Sequence, residues 1–268
     1  MYGLKTLEQE RNKIEKTKIE LADSHCHLDM LDASTIKDAV EYGVSVMISN
    51  GGSTKANLDT LKIADEKHVF AALGIGPDFT AKINDEELKF NMELVRSNSG
   101  KVVAIGEVGL DFKIAKNFEE IALQRAVFEK FIGLAIDMDI PVCVHSRNAM
   151  DEVLDLLSEK KAKKVQLHFF EGNAAQAKRA AELGYFISVP PTESSKRSNA
   201  IKMFPIDQIM VESDAPAAGV TPKDVERSVM IVAKAKDLEF GKAAEIIVSN
   251  TKRFFNIGSN KFIRTGGS

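Results

Sequence analysis

Residues 101–147 read KVVAIGEVGLDFKIAKNFEEIALQRAVFEKFIGLAIDMDIPVCVHSR. The run over 102–107 is almost continuously apolar, as a strand covered on both faces must be. Next comes a segment with Phe118, Ile121, Leu123, Val127, Phe128, Phe131, Leu134 and Ile136 at helical spacing, which predicts one long helix over 118–138. A second apolar run follows over 142–145. Strand, helix, strand in 47 residues is a βαβ unit, because parallel neighbours need a crossover and a helix is the usual one.

The same alternation extends in both directions. Apolar, β-rich runs predict further strands over 19–23, 44–49, 69–74, 165–168, 185–189 and 208–212. Helical patterns fill the gaps: one ending near Gly43, others over 54–67, 85–97, 149–159 and 174–183, one beginning near Pro222, and one over 239–255. Gly184 suits a helix stop, and Pro222 suits a first helical turn. Eight strands with helices between them predict an α/β fold, a single-domain (β/α)8 TIM barrel over 19–257. Residues 1–18 form a charged leader before it, and residues 258–268 are expected to be a flexible tail.

Composition narrows the function. The 268 residues are 44% apolar and 28% charged, an ordinary globular balance. A net charge of −3 argues against a broad basic surface for long duplex DNA, but not against an enzyme that grips only a nucleic-acid end. Cys26 and Cys143 make neither a disulfide framework nor a cysteine-rich zinc site. Apolar runs fall short of the ~18 residues that would suggest a membrane span, and MYGLKTLEQERNKIEKTKIE lacks the apolar stretch of a secretory signal. A cytoplasmic location, away from membranes, is the expectation. The sequence points to no obligate protein partner.

In barrels of this kind the chemistry lies at the C-terminal ends of the strands. Strand one runs into His25 and His27, two apart and so on one side of extended chain. Strand four ends at Glu107, strand five at His145 and strand six at His168, and strand eight runs into Asp214. The fifth histidine, His68, precedes strand three and belongs at the opposite end of the barrel. Neutral imidazoles mixed with carboxylates suit zinc, manganese, iron or nickel. Six ligands exceed what one tetrahedral ion needs, so two ions sharing Glu107 are the economical arrangement.

The ordered motifs DSHCHLD (23–29), GEVGLDF (106–112), Gln124-Arg125 with Phe128, PVCVHSR (141–147), HFFEG (168–172) and ESDAP (212–216) resemble those of TatD-type metal-dependent deoxyribonucleases, members of the amidohydrolase superfamily. The resemblance runs from about Leu21 to Phe255. It implies two divalent metal ions, with zinc, magnesium or manganese as the candidates. His25, His27 and Asp214 would hold one ion, His145 and His168 the other, with Glu107 bridging. It further implies that Asp214 orients or deprotonates the attacking water, and that the reaction is phosphodiester hydrolysis at DNA ends, commonly a 3′ exonuclease activity on single-stranded or terminal DNA. One segment departs from the family. Where the family carries a Gly-x-His-Pro-His pattern after strand three, this chain has Gly74-Ile75-Gly76-Pro77-Asp78.

Other residues have a functional and a structural reading. Arg147 suits a phosphate clamp or a salt bridge. Asp23 and Glu212, each two residues before a ligand, are placed to support ligands from behind. Asp111 and Asp29 read as loop-holding residues, Cys143 as barrel packing below the ions, and Cys26 as packing against the helices. Lys196, Arg197 and Lys202 follow strand seven and either guide a nucleic-acid strand or form a solvated loop. Phe79, Phe169 and Phe170 either stack a terminal base or roof the site. Two further functions share parts of this pattern: an amidohydrolase-type enzyme for a small amide, lactone or phosphoester, and a non-catalytic metal-dependent binding module.

Overall fold

The computed structural model describes residues 19–258. The expected leader, 1–18, and residues 259–268 of the expected tail lie outside the described residues. Eight parallel strands pair in chain order: β1 (Leu21–Cys26), β2 (Val44–Gly52), β3 (Val69–Ile75), β4 (Val102–Asp111), β5 (Val142–Arg147), β6 (Val165–Leu167), β7 (Phe186–Val189) and β8 (Ile209–Val211). Among the described residues nine α-helices surround them: α1 (Ala33–Tyr42), α2 (Thr54–Ile63), α3 (Asp85–Ser97), α4 (Phe118–Met138), α5 (Met150–Glu159), α6 (Ala174–Glu182), α7 (Ser195–Met203), α8 (Val225–Lys236) and α9 (Phe240–Phe254). The fold is the (β/α)8 TIM barrel that the alternation predicts. No helix among the described residues is long and apolar enough to cross a membrane.

Two differences from the sequence reading matter. The segment after β7 is helical, whereas its scarce apolar residues suggest a loop. Ser194 caps α7 by accepting the Arg197 N–H, and only Ala200, Ile201 and the unusual Arg197 face inward. Strands one and four also run further than expected, so that His25 lies within the sheet rather than just beyond it and Glu107 lies inside its strand rather than at its end.

Two cores divide the strand side chains by alternation. The inner one holds Ala22, Val46, Ile48, Phe70, Ala72, Ala104, Cys143 and Met210. The outer one, between strands and helices, holds Met47, Leu73, Ile105, Val144 and most apolar helix faces. Strict alternation from Ala22 and Ala104 would turn Cys26 and Val108 inward, yet both belong to the outer core. The reason is a break in register: β1 slips against β2 between Asp23 and Cys26, and β4 slips against β5 between Ile105 and Val108. Such irregularities re-aim side chains. Here they invert the alternation and bring His25, His27 and Glu107 to the inner side. β5 and β6 need no such device, because Cys143 and Gln166 lie inside and His145 and His168 follow two residues later.

Glycine makes the slip in β4 possible. A Cβ on Gly106 would stand 2.6 Å from the Asn50 side-chain oxygen and 2.7 Å from the Cys143 Cβ. Gly109 has φ +144°, and a Cβ there would meet the His145 carbonyl oxygen at 2.1 Å.

The seam between β8 and β1 is bridged at the level of the ligands. The Asp214 N–H donates to the His25 carbonyl (3.0 Å), and the His27 N–H donates to that of Ala215 (2.8 Å). Asp23 reinforces it: its carboxylate accepts from the Ser213 N–H (3.0 Å), the Ser213 hydroxyl (2.5 Å) and the His25 N–H (3.2 Å). Burial pushes the Asp23 carboxyl up to about 8 against those donors. Asp23→Ala leaves these buried donors without an acceptor. It is expected to cost about 2–4 kcal/mol, read from the urea midpoint. Asp23→Asn keeps one oxygen acceptor and loses less; an unchanged midpoint in Asp23→Ala would show that the seam does not depend on Asp23.

Candidate metal centre

All six side chains singled out in the sequence converge on the inner, C-terminal end of the barrel. His25, His27 and Asp214 form one triad and Glu107, His145 and His168 another, the donor atoms of each lying within 4.8 Å of one another. Glu107 stands between them. Its Oε2 is 3.7 Å from His25 Nε2 and 3.5 Å from His27 Nε2. Its Oε1 is 2.8 Å from His145 Nδ1 and 3.1 Å from His168 Nε2. Asp214 Oδ1 lies 3.8 Å from His25 Nε2 and 3.4 Å from His27 Nε2.

These distances test whether cations fit. Two ligands about 2.1 Å from one tetrahedral ion stand ~3.4 Å apart. The His25–His27–Asp214 half sits near that spacing, too wide for hydrogen bonds. Consistently, both ring nitrogens of buried His25 have no hydrogen-bond partner. A buried imidazole nitrogen facing two carboxylate oxygens at 3.7 and 3.8 Å without bonding either fits a shared cation. The other half is tighter, its three atoms 2.8–3.2 Å apart. The donor set, nitrogen and oxygen without thiolate, suits a divalent ion in a catalytic rather than a closed structural site.

Outer partners set the tautomers. His27 Nδ1–H donates to the Asn50 carbonyl (3.0 Å), leaving Nε2 for the site. His145 Nε2–H donates to Asp111 (3.1 Å), leaving Nδ1. Asp111 thus does more than the loop-holding expected of it. Its Oδ1 accepts from Lys113 and Ile114 N–H groups, its Oδ2 holds a ligand histidine, and Gln124 pins its backbone at both N–H and carbonyl. Asn50 and the paired role of Asp111 were hidden from sequence reading, since both arise from strand register. Asp23 bonds the His25 backbone rather than a ligand imidazole, because in the alternation it follows Ala22.

Electrostatics follow the geometry. Burial alone would raise Glu107, but the imidazoles of His168, His145 and His25 hold its carboxyl well below the usual range. Burial raises and His27 lowers Asp214, with a net downward result. Burial lowers His27, yet Asp214 and Glu107 outweigh it and hold the ring at about 9. Against the same penalty, Asp111 and Glu107 hold His145 at about 8. Burial and the neighbouring His168 push His25 down.

The remaining candidates divide. Arg147 is exposed at the end of β5 and makes no ion pair among the described residues, although its charge helps to lower Asp111. His68 lies at the far end of β3, donating to the Ser45 carbonyl. Asp78 is exposed and outside both triads. Arg197 is no guide for a nucleic-acid strand. It is 2% exposed, donating to the Phe170 and Thr192 carbonyls and pairing with Glu171, with its guanidinium 5.1 Å from the centre of the Phe169 ring. Lys196 and Lys202 are exposed. Phe170 is fully buried against Phe204 and stacks no base; Phe79 is 39% exposed. Cys143 is buried in the inner core, bonded to Gln166, and Cys26 is in the outer one.

The chain is similar to known proteins over most of its length. The model of the family described as TatD related DNase matches residues 22–256. The deoxyribonuclease TATDN3 of Homo sapiens is 27% identical over 260 residues, covering 88% of this chain and 95% of the relative. An uncharacterized metal-dependent hydrolase of Bacillus subtilis, YabD, is 28% identical over 257 residues, covering 88% and 99%. Among solved structures, the Escherichia coli TatD homologue YjjV superposes with a TM-score of 0.82 at 25% identity, covering 90% of this chain and all of that one.

Cation binding should displace protons. Below about 8–9, His27 and His145 carry protons that a cation must expel; above that range they do not. Zinc affinity of chelator-stripped protein is therefore expected to rise with pH up to about 9 and then level. Titration calorimetry at pH 7 in two buffers of different ionisation enthalpy reads the released protons. Identical heats in both buffers would contradict the expectation.

Proposed function

The chain belongs to the TatD related DNase family of metal-dependent hydrolases, and from that premise we propose that it removes nucleotides from the 3′ end of single-stranded or terminal DNA with two divalent cations. The observation that carries the reading is the position of Glu107, one oxygen toward each pair of imidazoles. A second supports it. The rings of His25 and His168 stack with centroids 3.9 Å apart and planes within 8°. Their Nε2 atoms face opposite oxygens of the same carboxylate, at a ring spacing close to the ~3.5–4 Å of two-metal sites.

His25, His27 and Asp214 would hold one ion and His145 and His168 the other, with Glu107 shared. Zinc, magnesium or manganese bound there supplies Lewis acidity, lowering the pKa of water and drawing charge from a phosphoryl oxygen. The chain provides the rest. Asp214 is kept ionised by His27 despite its burial, so its carboxylate can orient an attacking water and take its proton. Arg147, exposed beside the rim and free of an ion pair among the described residues, offers paired donors to a non-bridging phosphate oxygen. A net charge of −3 weighs against a broad basic face for duplex and favours capture of an end by the metals and a few cations at the rim.

The test is a substrate panel with magnesium, manganese and zinc: 3′-labelled single-stranded and duplex DNA, RNA, small phosphoesters, amides and lactones. Labelled mononucleotide is expected from DNA ends. Glu107→Ala should lower that rate by more than roughly 10³-fold, and Arg147→Ala should lower kcat/KM by about 10–100-fold, the worth of a charged hydrogen bond. Hydrolysis of esters, amides or lactones with no nucleotide release under any metal would overturn the DNA reading and leave the hydrolase.

A further inference from the structure

Below the stacked pair lies a second carboxylate, Glu212. It is fully buried. Its Oε1 accepts the Phe169 N–H (2.5 Å) and its Oε2 accepts the Ser188 hydroxyl (2.7 Å). Both oxygens therefore act as acceptors. Oε2 also stands 3.7 Å from His168 Nδ1. A nitrogen of His25, a nitrogen of His168 and an oxygen of Glu212 lie within 4.8 Å of one another.

That triad has the look of a third cation site, and the imidazoles decide against it. Both rings are parallel and both present Nε2 to Glu107. If each Nε2 lone pair serves an ion above, each Nδ1 carries the ring proton. A protonated Nδ1 has no lone pair for a cation, but it needs an acceptor. The Nδ1 atoms of His25 and His168 are both buried without a hydrogen-bond partner, and the only carboxylate of that triad is Glu212.

We infer that Glu212 is a positioning residue whose single carboxylate serves the Nδ1–H groups of both His25 and His168, directly or through one water, and so fixes one ligand of each ion. This rests on the two-ion reading above. The stacked imidazoles are then clamped between two carboxylates, Glu107 at the metal edge and Glu212 at the proton edge. The arrangement explains why one buried charge is kept in the barrel interior, where burial without compensation is costly. Glu212 Oε1 also holds the chain just past His168, where Phe169 takes a left-handed backbone (φ 46°) that a bulky residue rarely adopts.

The test compares wild type, Glu212→Gln and Ser188→Ala by equilibrium dialysis of zinc against a competing chelator, with ¹⁵N NMR of the imidazoles in zinc-loaded protein. Wild type is expected to bind two zinc ions per chain, with His25 and His168 both protonated at Nδ1 and bound through Nε2. Glu212→Gln presents a donor where an acceptor is needed, and should weaken both ions by roughly 10–100-fold. Ser188→Ala removes a Glu212 contact without touching either ring, and should leave both affinities close to wild type. Two wild-type affinities in folded Glu212→Gln, weakening of one ion alone, or a third zinc lost with Glu212 would each overturn the inference. If Glu212→Gln does not fold, the wild-type spectrum decides: a proton on Nε2 of either ring, or a zinc-bound Nδ1, overturns it. A wild type that binds fewer than two ions refutes the two-ion reading itself, a separate result.

Discussion

One carboxylate held among four imidazoles is the constraint around which the top of this barrel is organised. Glu107 cannot be placed there by regular strand alternation, because residue 107 would then face the helices. The register slips in β4 and β1 solve this at two points on the wall, turning Glu107, His25 and His27 to the same side. Glycine at 106 and 109 makes room for the first slip, and the backbone and Asp23 bonds to β8 secure the second. His145 lies in, and His168 just past, a strand whose alternation is undisturbed, and Asp214 lies three residues past the end of β8. The site is therefore a property of barrel closure, and the closing bonds and the ligands share residues.

The fold was legible because its signal is repeated. Eight buried strands separated by amphipathic helices leave little choice of architecture. The failure at α7 is instructive: Ser195–Met203 buries a guanidinium where its neighbours bury aliphatic chains, so apolar periodicity is absent and only the Ser194 cap marks the helix. The six candidate ligands were legible for a different reason. Histidine and carboxylate at successive strand ends form a pattern that packing alone does not require. What lay beyond reach was everything set by register. That Asp23 would bond backbone, that Asn50 would present its carbonyl to His27, and that Asp111 would reach His145 all depend on how far one strand slides along another.

The polar layer beneath the ligands gives the inner core its character. Gln166 donates to the Ser24 and Ser188 hydroxyls and accepts from Cys143, while Ser188 passes the chain of bonds to Glu212. An apolar filling would pack as well, but it could not answer the charge above. The network grades the interior from aliphatic at the bottom, through neutral polar groups, to charged ligands at the top. Gln166, Ser24, Ser188 and Glu212 thereby find partners without solvent.

The bonds across the β8–β1 seam join residues as much as 190 positions apart. Closing so long a loop carries a large entropic cost that only late contacts recover. A ribosome releases β1 long before β8, so His25 and His27 wait without Asp214 while most of the chain is made. The nascent protein therefore holds an incomplete site until the seam closes. The two candidate triads are complete together only in the finished barrel.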